Sequence, residues 1–161
     1  MKLYIKEHVF TWNDKFSIYS EDGSEKFYAV GEVFTFGKKI HLYDSSMTEI
    51  AFVSERVNFG LPKFELFYGN GKNALLIQHF SFLRQRLSVN GPEWQVEGNL
   101  FTHDFCITKK QDNSYIAVVA KDWFSFGDAY SIDIIDESDD NVALVLSVIL
   151  SIDAIIDRAE H

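Results

Sequence analysis

Between Leu3 and Ile135 the chain runs in short apolar or alternating stretches broken by turn residues, and only after Asn141 does the pattern change. The stretches place strands near Leu3–Phe10, Phe16–Ser20, Phe27–Val33, Lys39–Tyr43, Ile50–Val57 and Phe64–Tyr68. Six more fall near Ala74–His79, Arg84–Ser88, Trp94–Glu97, Asp104–Thr108, Tyr115–Ala120 and Tyr130–Ile135. Between them stand WND, EDGS, GNGKN, NGP and QDNS, which supply Gly, Asn and Asp where a reversal needs positive φ or local side-chain bonding. In KIHLY, Ile40 and Leu42 share one face and Lys39, His41 and Tyr43 the other; in WQVE, Trp94 and Val96 oppose Gln95 and Glu97. One buried and one wet face is the habit of antiparallel sheet. About twelve strands at a spacing of roughly 8–12 residues predict an all-β sandwich or barrel.

The last segment, DDNVALVLSVILSIDAIIDRAEH, is almost wholly apolar from Val142 to Ile156. Its β-branched residues suit a strand, but its length favours a helix over about 140–157. Asp136, Asp139, Asp140 and Asn141 offer capping groups and negative charge at the N-terminal end, and Arg158 lies near the other. On a helical wheel Ala143, Ser147, Ser151 and Ala154 form a stripe of small residues. A helix apolar all round is buried in protein or in lipid. A membrane span needs about 17–25 apolar residues. The charge-free run from Val142 to Ile152 has only eleven before Asp153 interrupts it, and the flanks are acidic. No transmembrane insertion is expected. Barrels of about eight strands are filled by side chains alone, and porins of sixteen or more enclose water. A barrel of eleven or twelve suits one central helix, as in can-shaped barrels. A helix from Asp140 to Ile156 is about 25 Å long, matching strands of six or seven residues. The fold predicted is mainly β (α+β): a closed antiparallel barrel around a central hydrophobic C-terminal helix, with Asp153 near one mouth reaching solvent or a partner.

Composition agrees with one domain over residues 1–161. The chain is 47% apolar and 16% aromatic, with 15 Phe and 7 Tyr, far too apolar for disorder and rich in strand-favouring rings. The net charge of −9 repels nucleic acid and anionic lipid except at a local basic patch. A single cysteine, Cys106, and a start without an apolar run of signal-peptide length predict a cytoplasmic protein.

The order of elements, with KFSIYSEDG (Lys15–Gly23), GKKIHLYDSSMTEIA (Gly37–Ala51), WQVEGNLFTHDFCI (Trp94–Ile107) and AKDWFSFGDAYSIDIID (Ala120–Asp136), resembles the LURP-one-related family. That family is a branch of the tubby-like superfamily, which also holds the phospholipid scramblases. The resemblance spans nearly the whole chain and implies a barrel threaded by its own last helix. It implies no catalytic signature. Tubby proteins bind phosphoinositides through a basic pocket, which has no residue-by-residue counterpart here. Scramblases are associated with a calcium-binding segment before their last helix. Asp136, Glu137, Asp139 and Asp140 stand in a comparable place, but without the Gly at position six or the Glu at position twelve of an EF-hand. Helix capping accounts for these acids more simply.

The sequence excludes more chemistry than it offers. GNGKN lacks the Ser or Thr after its lysine and the following helix of a phosphate loop. His8, His41, His79 and His103 are scattered and read as surface or partly buried strand residues. Cys106 and His103 lie three apart, on opposite faces of a strand. No metal, cofactor or catalytic residue is expected, and the chain is read as a non-enzymatic binding or scaffold module, monomeric or weakly oligomeric, with an unknown protein or a lipid headgroup as partner. An enzyme with a site built from distant strands stands third. For the lipid alternative the anion-binding candidates are Arg84, Arg86, Lys38, Lys39 and Lys121. Trp12, Trp123, Phe124 and Phe126, in or beside loops, are candidates for a binding rim or for plugs closing the barrel ends.

Overall fold

A computed structural model describes residues 1–6, 15–33, 35–57, 59–79, 86–122 and 129–160. The chain forms β1 (Lys2–Lys6), β2 (Lys15–Ser20), β3 (Glu25–Gly31), β4 (Lys39–Asp44), β5 (Glu49–Arg56) and β6 (Lys63–Tyr68). It continues through β7 (Lys72–His79), β8 (Arg86–Asn90), β9 (Trp94–Asn99), β10 (Asp104–Lys109), β11 (Tyr115–Asp122) and β12 (Ala129–Ile134) to the helix α1 (Asp139–Glu160). Every strand pairs antiparallel with its sequence neighbour, and β1 joins β12 through Lys2↔Asp133 to Lys6↔Ala129, closing the barrel. Closure removes the free edges at which sheets aggregate.

The expected twelve strands are present. The predicted first strand runs past Lys6 into residues outside the description, as does the start of the predicted eighth at Arg84. Inward positions follow the alternation of the sequence: Ile18, Ile40, Leu42, Val53, Leu66, Leu76, Leu87, Val96, Ile107, Val119 and Ile132 are fully buried. They meet α1, whose Val142–Leu146, Val148–Ile152 and Ala154–Ile156 are buried on every side. The backbone of α1 runs nearest to β5 and β6. Ser147 and Ser151, with no solvent exposure, turn their hydroxyls back on the helix. Ser147 Oγ donates to Ala143 O at 2.7 Å and Ser151 Oγ to Ser147 O at 2.8 Å. A buried hydroxyl without such a partner costs about 1–3 kcal/mol. No helix among the described residues is long and apolar enough to cross a membrane.

The helix begins one step from where its acids suggest. Ser138 takes the cap position, its carbonyl accepting Val142 N–H at 2.9 Å, while Asp139 and Asp140 lie in the first turn. Asp136 Oδ1 accepts the Ser138 N–H at 3.1 Å and fixes the approach. The GNGKN hairpin receives this end: Lys72 Nζ pairs with Asp140 Oδ2, and a Cβ at Gly69 would stand 2.6 Å from Asp140 Oδ1. A motif that looks like a phosphate cradle thus seats the chain's own carboxylate.

Because neighbouring strands alternate in direction, two rims differ. The entry rim, where α1 enters, joins strands by tight polar turns around Gly23, Met47, Gly71, Gly91 and Asn113. β2, β4 and β10 each shift register just before their turn, at Ile18/Tyr19, Leu42/Tyr43 and Ile107/Thr108. Each of those turns contains a left-handed residue: Gly23 (φ 83°), Met47 (φ 63°) and Asn113 (φ 59°). Met47 is the misfit, since a side chain in that region costs about 1 kcal/mol relative to Gly. Met47 is exposed. Met47→Gly is therefore expected to raise the melting temperature by roughly 2–4 °C; an unchanged or lower value in a thermal melt would show the turn is not strained.

Candidate functional site

At the opposite, exit rim, the last turns of α1 leave the barrel and are tied to it by three polar locks. Asp153 accepts from Tyr130 Oη at 2.6 Å on one oxygen and lies 3.0 Å from His103 Nε2 on the other. The His103 and Tyr130 rings stack at 4.0 Å with an interplanar angle of 8°. Lys38 Nζ reaches Asp157 Oδ2 at 3.2 Å. Arg158 pairs with Glu55, whose side chain is only 1% exposed and whose second oxygen accepts the Lys38 N–H at 2.9 Å. An inward carboxylate on β5 is tolerable because both its oxygens are engaged.

His103 corrects the strand reading. It precedes β10 in the turn after Leu100, with φ 51°, and is buried against the helix. Cys106 stands on the outer side of β10, its Sγ 3.8 Å from Glu97 O, and burial raises its thiol pKa. The two do not meet. Asp153, expected to reach solvent or a partner, instead finds its partners within the chain.

The nominated cations divide by their surroundings. Lys38, Lys39, Arg86 and Lys121 all lie at strand ends on the exit rim, but on β4, β8 and β11, three separate arcs. Lys38 is committed to the helix. Arg86 points outward and pairs with its cross-strand neighbour Glu97 at 3.1 Å. Lys121 stands opposite Tyr130 in register, in step with inward Val119. Lys39, outward on β4, has no ion-pair partner among the described residues. Arg84, Trp12, Trp123, Phe124 and Phe126 lie outside the described residues.

Sequence reading missed two rings. Phe36 is 83% exposed and Phe59 fully so, each followed by a glycine in adjoining connections, β3–β4 and β5–β6. The connections touch: a Cβ at Gly37 would lie 2.8 Å from Val57 Cγ2. Exposed Val33, Val57 and Leu61 complete an apolar tip. Lys39 and Lys63 flank it without ion-pair partners among the described residues, while Arg56 pairs with Glu65. The signal was available: Phe-Gly between two strands, outside the alternation of either, leaves a ring with no inward position.

A second feature runs over the outer face of β4–β7. His41 lies opposite Phe52 and Phe52 opposite Phe67, with ring separations of 4.7 and 6.0 Å. His41 Nδ1 is 2.6 Å from Glu49 Oε1 and its Nε2 2.9 Å from Glu32 Oε2. Two carboxylate acceptors require two N–H donors, so the imidazolium form satisfies both. Burial opposes that charge, but the bonds to Glu49 and Glu32 and their negative charge outweigh it and raise the His41 pKa. These residues floor an open groove of about 600 Å³ bounded by Glu49, Tyr68 and Lys72.

A closed antiparallel barrel of twelve strands filled by its own C-terminal helix, with polar locks where the helix leaves, defines the class as a helix-threaded barrel. The LURP-one-related family model matches residues 1–153, and the chain belongs to that family. It is 26% identical over 151 residues to YxjI of Bacillus subtilis (strain 168), itself described as uncharacterized, covering 93% of this chain and 91% of that one. An X-ray structure of the Arabidopsis thaliana protein AT5G01750 is similar in fold, with a TM-score of 0.61 at 16% identity over 99% of this chain and 91% of that one.

Proposed function

We propose that this protein is a non-enzymatic binding module that docks through its exit rim on anionic membrane surfaces. The observation that carries the reading is the pair Phe36 and Phe59, held in solvent on adjoining hairpin tips beside Lys39 and Lys63. Exposed rings cost solvation and contribute nothing to the core, so a surface that covers them accounts for their placement. The helix occupies the lumen, which leaves the outside for ligands. The entry rim gathers carboxylates such as Asp22, Asp44, Asp112, Glu137 and Asp139, so the acidic end of a −9 chain would face away from the bilayer.

Inserting each ring is worth about 1.5–3 kcal/mol if fully buried. Each lysine near an anionic surface adds about 1 kcal/mol. Co-sedimentation with vesicles of 3:1 phosphatidylcholine to phosphatidylserine is expected to retain the protein, and phosphatidylcholine alone to retain far less. Phe36→Ala with Phe59→Ala should weaken binding about 30-fold or more while the melting temperature holds, because neither ring packs in the core. Lys39→Glu with Lys63→Glu should remove the preference for anionic lipid. Equal retention on both vesicle types, or no effect of the double alanine variant, would overturn the reading and leave the rim to a protein partner.

A further inference from the structure

The groove on β4–β7 lies away from the exit rim and has its own chemistry. Its floor is aromatic, its walls are charged, and the charges are unevenly spent. The two cations at its border are occupied: His41 by Glu49 and Glu32, and Lys72 by Asp140. Glu49 gives Oε1 to His41, while its other oxygen has no hydrogen-bond partner among the described residues. His41 already sits 4.7 Å from the Phe52 ring, whereas Phe67 is 38% exposed and no cation among the described residues sits over it. What the groove lacks is therefore positive charge above Phe67.

The same sheet shows that requirement met elsewhere. On β3, Tyr28 stacks on Tyr43 at 5.0 Å, and the chain's own Lys15 places its ammonium 4.4 Å from the Tyr28 ring centroid. Lys15 also pairs with Glu25 at 2.5 Å, so ring and carboxylate hold one cation together. Phe67 and the second oxygen of Glu49 offer that combination with the cation left out.

We propose that the groove is a docking site for arginine-bearing peptide segments, the guanidinium lying over Phe67 and donating to the second oxygen of Glu49. A planar guanidinium can stack on a ring and still present its N–H groups edge-on to a carboxylate, which a lysine ammonium cannot do equally well. The acidic chain steers such a segment from a distance. An anion would meet cations already neutralised and the unspent Glu49 oxygen. A purely apolar ligand would leave that oxygen and the Lys72–Asp140 pair to be desolvated.

The test uses the full chain, labelled with nitrogen-15, titrated with Ac-Gly-Arg-Gly-Arg-Gly-NH2. The expected result is saturable amide shifts centred on residues 49–52 and 67–69. Glu49→Gln and Phe67→Ala should each weaken binding about threefold or more, as an exposed cation–π contact or charge-assisted bond is worth about 0.5–1 kcal/mol or more. The lysine version of the peptide should bind more weakly and the glutamate version not at all. Phe36→Ala with Phe59→Ala should leave peptide binding unchanged, separating the groove from the membrane rim. Circular dichroism of Phe67→Ala checks the fold, and Glu49→Gln keeps the side-chain shape if that variant loosens the sheet. Shifts absent from the groove, binding indifferent to both variants, or choline chloride matching the peptide would each overturn the proposal.

Discussion

A chain ending at Ser138 is expected to be insoluble, or soluble only as a molten species that binds a hydrophobic dye and has lost its near-ultraviolet dichroism. The reason is the inward row of the barrel. Ile18, Ile40, Leu42, Val53, Leu66, Leu76 and Leu87 are fully buried by one another and by α1, and without the helix they line an open lumen. Each buried Val, Leu or Ile side chain contributes about 1.5–3 kcal/mol, and domains are stable by only about 5–15 kcal/mol. Loss of the helix side chains from Val142 to Ile156 thus exceeds what the remaining barrel can supply. Ile149→Asp, at a fully buried position on α1, is expected to have the same consequence without shortening the chain. A truncated chain that stays monomeric, cooperative and easier to handle would show the helix to be an accessory and the architecture misread.

The second large effect is expected at Asp153. Its carboxylate touches both Tyr130 and His103, and its side chain is only 14% exposed. Asp153→Ala removes the carboxylate that bonds both a phenol and an imidazole nitrogen, and removing one partner of such a buried set costs about 3–5 kcal/mol. For a domain of this size that is a fall in melting temperature of roughly 10 °C. Asp153→Asn, which retains an acceptor, should lose about half as much, and Tyr130→Phe about 1 kcal/mol. Denaturant unfolding of the three variants is the measurement. An Asp153→Ala chain within 0.5 kcal/mol of the parent, a difference typical of exposed sites, would show that the carboxylate does not hold the helix.

How much of this was legible in the sequence depends on the range of the cause. Strands such as Lys39–Asp44 and Trp94–Asn99 were visible because alternation and turn chemistry act within a few residues. The helix was legible by length, and its place in the lumen by the absence of a polar face. His103 was misread because it lies in a turn, its N–H on Leu100 O, with its ring packed on Tyr130 of β12, which no alternation pattern signals. The partners of Asp153 lie 23 and 50 residues away, and no local pattern specifies which side of the helix meets them. The candidate cations were sorted only by their neighbours: Lys38 held by Asp157, Arg86 by Glu97, Lys39 without an ion-pair partner among the described residues.

The sequence by itself therefore determined the elements, their inward faces and the identity of the plug, since each rests on periodicity or length. The tertiary structure decided what those elements present. Register put His41, Phe52 and Phe67 in one outer row from three strands. Pairing of β4 with β5 brought the connections that carry Phe36 and Phe59 side by side, and the rotation of α1 turned Asp153 toward Tyr130 and His103. Each of these is a relation between residues far apart in the chain, and it exists only once the helix has filled the barrel and the strands have settled around it.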